Sequence, residues 1–392
     1  MTKKIIIVYL VNFLLAVSTT IGMTLIPLLA TEKLGMTLLF LGAIEGGTEL
    51  ISNLLRLFTG TLFDRIKNRQ ILFIAPATLA FVAKLLLYFP SMLTILISKI
   101  TERVANGAFA APRDAFIGEN SKNKGMALGL LSVAKTFGCV VGPIIISLST
   151  LLFGSLVENI SNIIFLTCLI SFSSLVLTFF IDTKKLGKIN KLEKLDYKKM
   201  QSSFKRLLPL FIMSFFFFLG RFNDGLIIIY LRDRGLPEWY YLITISFFNI
   251  VMLLSSPLIG DWIDKGKDSY ILIITITALL AFNIMFIQLP SLPWIFSSIG
   301  LVMWGIQRAA AQINFTAIIF KNIPVAYYGS AIGIYSVISG VGVFISSLIC
   351  GYLAQKSFNY VFIFSGISSI CSLGLAIIYI KKCSLSQKVS TL

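Results

Sequence analysis

Twelve apolar segments of about twenty residues each follow one another along the chain, separated by short polar connections. As helices they are long enough to cross about 30 Å of hydrocarbon. Charged residues make up 13% of the chain, about half the share found in soluble domains, so a soluble fold could not cover such an interior. The sequence therefore predicts an all-α membrane protein with twelve transmembrane helices. The segments span 5–30, 38–62, 70–88, 92–112, 125–150, 159–181, 207–231, 238–260, 269–289, 294–319, 328–350 and 357–380.

The basic residues are distributed unevenly among the connections. Of 34 Lys and Arg residues, seven lie within the segments, four in the connections on one side and 23 in those on the other. Because cytoplasmic connections carry an excess of Lys and Arg, both termini are predicted to be cytoplasmic. The first apolar segment continues to Ala30 without a small-residue cleavage site, so we interpret it as a membrane span rather than a signal peptide.

Histidine is absent from the sequence, and the five Cys residues show no CxxC spacing. Proton transfer would therefore depend on carboxylates, because the usual proton-carrying side chain is missing. We interpret the Cys residues as free thiols and expect neither a metal nor a cofactor. Without His, a metal-ligand cluster or a Ser/His/Asp set, an enzyme is disfavoured.

The sequence contains an internal repeat on either side of a basic linker. Residues 182–206 carry nine basic and three acidic residues, and they separate a half at 1–181 from a half at 207–392. We interpret them as a cytoplasmic linker that lies against anionic lipid. Residues 60–67 match 260–267, residues 125–138 match 329–342, and Arg103 corresponds to Arg308. Two six-helix halves related by duplication are typical of a secondary transporter.

Three motifs resemble those of the major facilitator superfamily, over essentially the whole chain. After segment 2 the motif residues are Gly60, Asp64, Arg65 and Arg69. In segment 4 they are Arg103, Asn106 and Gly107, which resemble a motif of the drug–proton antiporters. In segment 5 the residues Gly129, Gly138, Gly142 and Pro143 have the spacing of the antiporter motif, with Ile146 and Ser147 in place of its closing Gly pair. Tight helix packing is the alternative explanation for these glycines.

The resemblance implies a conformational latch at the ends of the helices. In the family, the motif after helix 2 holds the outward-facing conformation together with an acid at the end of helix 4, for which Asp114 fits. The repeat places Gly260 and Asp264 in the corresponding position of the second half. The alternative is that these charges simply lie at the membrane edge and extend to water.

Eleven charged residues lie within the apolar segments, and each costs about 2.5–3.5 kcal/mol on insertion scales, which marks them as functional. Lys84 is the exception, since we expect it to extend to the outer surface. Glu45 and Glu49 are one helical turn apart, so one of the two should hold a proton near neutral pH. With Asp224 and Glu102 they are the predicted proton-coupling residues. A static ion pair with a base on helix 4 or 5 is the alternative.

The remaining charges indicate where a substrate would bind. The resemblance implies that helices 1, 4, 7 and 10 line a central cavity, which would place Arg103, Arg221, Asp224 and Arg308 there and Lys135 beside them. Arg221 could pair with Asp224, three residues on. Trp304, Arg308 and Gln312 form a stripe at i+4 spacing that suits a polar ligand with an anionic group. The alternative is that Arg308 only forms an ion pair with an acid across the cavity. Without Lys84, the charged residues within the segments are six basic and four acidic, which favours an anionic or zwitterionic substrate.

The expected function is secondary transport by alternating access, as proton-coupled antiport that exports a small amphiphilic or anionic compound. Proton-driven uptake of an anionic metabolite or a siderophore complex is the alternative, and a non-transporting membrane sensor is the alternative from another class. The expected partners are the substrate, protons and lipid, without nucleic acid. We expect a monomer in the cell membrane, which in a bacterium is the inner membrane.

Overall fold

The computed structural model describes residues 3–65, 70–121, 124–181, 197–288, 292–323 and 328–390. Within these ranges the chain forms helices joined by short connections, and a π-helical turn, Leu29–Lys33, extends the first helix. The helices are α1 Lys3–Leu28, α2 Leu38–Arg65, α3 Ile71–Leu86, α4 Met92–Asn120, α5 Lys124–Phe153, α6 Leu156–Thr178, α7 Tyr197–Leu219, α8 Asp224–Asp233, α9 Glu238–Asp264, α10 Asp268–Ile287, α11 Pro293–Asn322, α12 Tyr328–Lys356 and α13 Phe358–Ser390.

Each predicted apolar segment overlaps at least one of these helices. Over the described residues, nine stretches are long and apolar enough to cross a membrane. Helix α3 is apolar but shorter, and α4 and α11 are not among the nine. The all-helical architecture is confirmed, whereas the count of twelve crossing helices and the cytoplasmic position of the termini stay predictions.

The predicted seventh span is made of two helices, α7 and α8, rather than one. The helix ends at Leu219 and the next begins at Asp224, with irregular backbone between them. Glycine at position 220 favours the break because it is a poor helix former. A Cβ there would lie 3.0 Å from the carbonyl oxygen of Ser365. The Ser365 hydroxyl donates a hydrogen bond to the Gly220 carbonyl oxygen and so satisfies a group that the break leaves outside the helix.

The chain forms two compact units. Unit 1 contains Met1–Asn190 and Asp224–Ile250, and unit 2 contains Lys191–Asn223 and Val251–Leu392. The segment 224–250 therefore belongs with unit 1, although it follows the linker in sequence. The predicted division into halves at 1–181 and 207–392 stays a prediction.

Helix pairing in the two units follows the internal repeat. In unit 1, α1 packs against α5 and α6, and α3 packs against α4 and α6. In unit 2, α7 packs against α12 and α13, and α10 packs against α11 and α13. These four pairings are thus formed twice, as expected of a duplicated six-helix architecture.

Two glycines of the segment 5 motif let α5 approach α1 closely. A Cβ at Gly138 would lie 2.5 Å from the Phe13 carbonyl oxygen, and one at Gly142 would lie 2.3 Å from Thr20 Oγ1. Small residues at such contacts allow helix backbones to pack directly against one another. A Cβ at Gly129 would meet nothing within 4 Å, and Pro143 is buried within α5. Tight packing accounts for Gly138 and Gly142, while an antiporter role of the motif stays a prediction.

Candidate functional site

Four charged side chains of unit 1 form what we call the charge ladder: Glu45 and Glu49 of α2 with Lys99 and Arg103 of α4. Lys99 Nζ donates a short hydrogen bond to Glu45 Oε1. The Arg103 guanidinium lies 2.7 Å from Glu49 Oε2 and 3.7 Å from Glu45 Oε2. The two acids are one helical turn apart on α2, and the two bases are one turn apart on α4, so the acids and bases face each other in pairs.

Solvent exposure rises along the charge ladder from one end to the other. The side chains of Lys99 and Glu45 are 2% and 8% exposed, that of Arg103 is 16% exposed and that of Glu49 is 37% exposed. Glu49 is therefore the carboxylate of the ladder that water reaches most easily. Glu45 is enclosed beside Lys99, so the two acids of the ladder differ in their access to water.

A second buried ion pair, which we call the sealed pair, lies beside the ladder. Lys84 Nζ of α3 is 2.5 Å from Glu102 Oε1 of α4, and these side chains are 0% and 4% exposed. A Cβ at Gly22 of α1 would lie 2.8 Å from Lys84 Nζ, so the absence of a side chain there makes room for the lysine. The Ser98 hydroxyl donates to the Ala83 carbonyl oxygen and joins the same two helices, α3 and α4.

The sealed pair corrects one prediction. Lys84 does not extend to the surface, because its ammonium group is enclosed and bound to Glu102. Its position near the end of an apolar segment suggested surface contact, but α3 and α4 form a hairpin that turns the side chain inward. Glu102, one of the predicted proton-coupling residues, is held by this lysine.

Three basic side chains inside unit 1 are paired with acids. Lys84, Lys99 and Arg103 each lie against a carboxylate, and Asp224 of α8 also acts electrostatically on Arg103. Glu45 thus forms an ion pair with a base on helix 4 in this structure. The preference for an anionic or zwitterionic substrate stays a prediction.

Three further predicted residues lie on α5 and at the junction of α7 and α8. Lys135 is exposed on α5. Arg221 lies in the irregular stretch between α7 and α8, and Asp224 begins α8, so the two residues are not on one continuous helix. The pairing of Arg221 with Asp224 stays a prediction.

The predicted stripe on α11 combines residues in different environments. Trp304 is fully buried in unit 2, Arg308 is half-buried and Gln312 is exposed. Trp304 belongs to an aromatic cluster with Phe222, Phe282, Phe286 and Phe362, and its ring centroid is 4.5 Å from that of Phe282 and 5.5 Å from that of Phe222. A ligand could contact Trp304 only if this cluster opened.

Most of the predicted latch lies outside the described residues. Arg69 is not described, and neither are the side chains of Asp64 and Arg65 or the surroundings of Gly60. Asp114 is exposed and accepts a 2.8 Å hydrogen bond from Arg113, whose guanidinium also donates to Asn12 Oδ1 at 2.7 Å. In the repeat, a Cβ at Gly260 would meet nothing within 4 Å, and Asp264 is exposed. The latch stays a prediction.

Sequence reasoning missed a set of contacts made by segment 224–250 within unit 1. Arg232 lies 2.8 Å from Glu32 at the end of the π-helical turn. Glu238 accepts a 3.2 Å hydrogen bond from the backbone N–H of Leu156, the first residue of α6. Ser147 of α5 donates to the Trp239 carbonyl oxygen at 3.2 Å. No motif signals these contacts, because each joins residues more than 80 positions apart in the chain.

The family model for the Major Facilitator Superfamily matches residues 8–347. The chain belongs to this superfamily. It is 26% identical over 399 residues to an uncharacterized MFS-type transporter of Methanocaldococcus jannaschii, covering 97% of this chain and 95% of that protein. It is 24% identical over 380 residues to the multidrug resistance protein MdtG of Proteus mirabilis, covering 93% and 92%.

Solved structures of transporters share this fold. A crystal structure of a POT family transporter in complex with a thioalcohol-conjugated peptide aligns with a TM-score of 0.81 at 14% identity, covering 96% of each chain. The nucleoside transporter NupG aligns with a TM-score of 0.78 at 13% identity, covering 97% of this chain and 99% of that one. This member of the superfamily is thus a multi-pass membrane transporter and not an enzyme.

Proposed function

We propose that this superfamily member is a proton-coupled antiporter of the drug–proton type that exports a small amphiphilic compound by alternating access, with uptake of an anion as the alternative. The observation that supports the proposal most directly is the contact between Arg103 and Glu49 at the exposed end of the charge ladder. The proposal includes twelve crossing helices, cytoplasmic termini and location in a bacterial inner membrane as a monomer.

Protonation of Glu49 is the proposed coupling event. With Glu49 ionised, its carboxylate lies 2.7 Å from the Arg103 guanidinium. A proton on Glu49 removes the charge from one partner of this ion pair and so weakens it. Arg103 would then keep Glu45 as its charged neighbour within the ladder, at 3.7 Å. Asp224 and Glu102 act on the same guanidinium and are the further proposed coupling residues.

The charge of the substrate determines whether proton binding at Glu49 would drive uptake or export. An anion would bind Arg103 best when Glu49 is protonated and has released it, so anion and proton would bind together, which favours uptake. An amphiphilic compound with a cationic or hydrogen-bond-donating group would compete with the proton for Glu49, which gives antiport. The resemblance to a multidrug resistance protein supports the second case.

The proposed substrate contacts extend beyond the ladder. They are Arg103, Lys135, Arg221, Arg308 and Gln312, whose charged or amide groups could bind polar parts of a small molecule. Trp304 is proposed to act on the same helix as Arg308 by holding α11 in the aromatic cluster. The proposed latch comprises the motif residues around Asp64 together with Asp114 and the repeat at Gly260 and Asp264.

The experiment that tests the proposal uses the purified protein in vesicles that contain a trapped pH-sensitive dye. Ethidium, benzenesulfonate, uridine and dialanine serve as probes of different charge. We expect ethidium to move protons in the opposite direction to itself. Vesicles in which Glu49→Gln protein replaces the wild type should lose this exchange but still bind ethidium, because the amide resembles the protonated acid.

Asp233→Asn is the matched control, since it also replaces an acid by its amide but lies outside the charge ladder, where Asp233 is 44% exposed and pairs with Arg232. Its proton exchange should resemble that of the wild type in dependence on the pH gradient. Exchange that persists undiminished in Glu49→Gln would contradict the assignment of the proton to Glu49. Proton movement in the same direction as benzenesulfonate, with no response to ethidium, would instead support uptake of an anion.

A further inference from the structure

The two acids of the charge ladder have different sets of basic partners. Each carboxylate oxygen of Glu45 faces a base: Lys99 Nζ donates to Oε1, and the Arg103 guanidinium lies 3.7 Å from Oε2. Glu49 is bound by Arg103 at 2.7 Å. Lys99 thus contacts the more deeply buried acid and leaves the contact with the more exposed acid to Arg103.

Lys99 is available to Glu45 because another base holds its neighbour on α4. Glu102 follows Lys99 by three residues and would otherwise be a natural partner on the same helix. Instead Lys84 of α3 binds Glu102, with both side chains almost fully buried. Among the described residues, the charges that act on Glu102 and Arg103 from the packed elements are Lys84 on α3, Glu45 and Glu49 on α2, and Asp224 on α8.

Burial makes the charge state of Glu45 depend on Lys99. A carboxylate that is 8% exposed is costly to keep ionised unless a cation compensates for the lost water. Arg103 alone is a weak substitute, because it lies closer to Glu49 than to Glu45. Without Lys99, the more favourable arrangement would be a protonated Glu45 beside an Arg103 that remains with Glu49.

We propose that Lys99 is a positioning residue for proton coupling: it keeps Glu45 ionised, so that Glu45 anchors Arg103 and the transported proton binds at Glu49 alone. This inference rests on the proposed function, in which Glu49 is the proton site. Lys99 itself neither carries the proton nor contacts the substrate. Its effect is to restrict the ladder to one carboxylate that changes protonation.

The experiment counts protonated carboxyl groups without any substrate. The purified full-length protein is reconstituted in lipid bilayers, and its infrared difference spectrum is recorded between acidic and neutral pH. The C=O stretch of a protonated carboxyl reports each buried acid that gains a proton. In the wild type we expect a carboxyl band that Glu49→Gln removes, and Asp224→Asn identifies any contribution from α8.

Lys99→Met should add a second carboxyl band, and the double variant Lys99→Met/Glu45→Gln should lose that additional band again. Lys99→Arg, which keeps the positive charge, should give the wild-type spectrum. The double variant also restores the balance of buried charges. If Lys99→Met folds poorly, wild-type folding of the double variant would still show that Lys99 compensates the charge of Glu45, and poor folding of both would contradict it. A purely structural role of Lys99 would lower the thermal stability of Lys99→Met without adding a band.

Two outcomes overturn the inference: a Lys99→Met spectrum identical to that of the wild type, or an additional band that persists in the double variant. The proposed function fails separately, if the wild-type carboxyl band survives in Glu49→Gln. In that case an additional band in Lys99→Met that depends on Glu45 would still show that Lys99 keeps Glu45 ionised. The two failures are therefore distinguished by different variants in the same series.

Discussion

The interiors of the two units repeat the same helix pairing but differ in chemistry. In unit 1, α2, α3 and α4 enclose the charge ladder and the sealed pair. In unit 2, the interior between α10, α11 and α13 is filled by the aromatic cluster, in which Trp304, Phe282 and Phe286 are fully buried. The same helix pairings thus occur in both units, but different side chains fill the space between the helices. Unit 1 has buried ion pairs where unit 2 has packed aromatic rings.

The largest expected effect comes from breaking the sealed pair in unit 1. Lys84→Met leaves the Glu102 carboxylate buried without its cation, and removal of one partner from a buried pair costs about 3–5 kcal/mol. Thermal unfolding of the purified protein in detergent, followed by tryptophan fluorescence, measures the loss. Lys84→Met/Glu102→Gln should recover most of it, because no uncompensated charge remains.

An exposed ion pair in unit 2 provides the matched control for this prediction. Lys321 lies 2.7 Å from Asp268, and these side chains are 48% and 22% exposed. Lys321→Met should cost no more than about 1 kcal/mol, as is usual for pairs that water can replace. Equal destabilisation by Lys84→Met and Lys321→Met would show that enclosure of the charges in unit 1 has no energetic consequence.

The next largest effect is expected at two glycines that occupy matching positions of the internal repeat, one in each unit. Gly138 of α5 and Gly342 of α12 match in the internal repeat, and both lie at contacts with the first helix of their unit. A Cβ at Gly138 would lie 2.5 Å from a backbone oxygen of α1, whereas one at Gly342 would lie 3.0 Å from the Phe218 Cβ of α7. We expect Gly138→Ala to destabilise the protein by about 1–3 kcal/mol through overpacking.

Gly342→Ala should cost less than Gly138→Ala, because the nearest atoms to its new methyl group lie farther away, at 3.0 and 3.2 Å rather than 2.5 Å. Gly129→Ala is the control, since a Cβ there meets nothing within 4 Å. Thermal unfolding of the three variants ranks them. If Gly342→Ala is the most destabilising of the three, the close approach of α1 and α5 is not the tighter of the two contacts.

The sequence allowed the helices to be predicted because apolar length is a local property. It also placed Glu45 and Glu49 on one face of α2, and both contact bases of α4. The pairing of Lys84 with Glu102 could not be predicted, because it depends on how α3 folds back against α4. The break at Gly220 has a local signal in the glycine, but glycines are frequent in membrane helices. Spacing placed Trp304 and Gln312 on one stripe, yet only packing decides which of them is buried.

The smallest expected effect tests whether the unit 2 interior depends on ring contacts rather than on apolar volume alone. The Phe282 ring centroid lies 4.5 Å from that of Trp304 and 4.3 Å from that of Phe286. Phe282→Leu keeps most of the apolar volume but loses these ring contacts, so we expect a loss of about 1 kcal/mol in stability. Phe165→Leu is the control, because Phe165 is 55% exposed on α6 and should change stability little. Ethidium-driven proton exchange should stay at the wild-type level in both variants, since neither residue belongs to the charge ladder. If Phe282→Leu abolished that exchange while the protein remained folded, the aromatic cluster would take part in transport, and the contrast between an ionisable charge ladder and a cluster that only packs would be wrong.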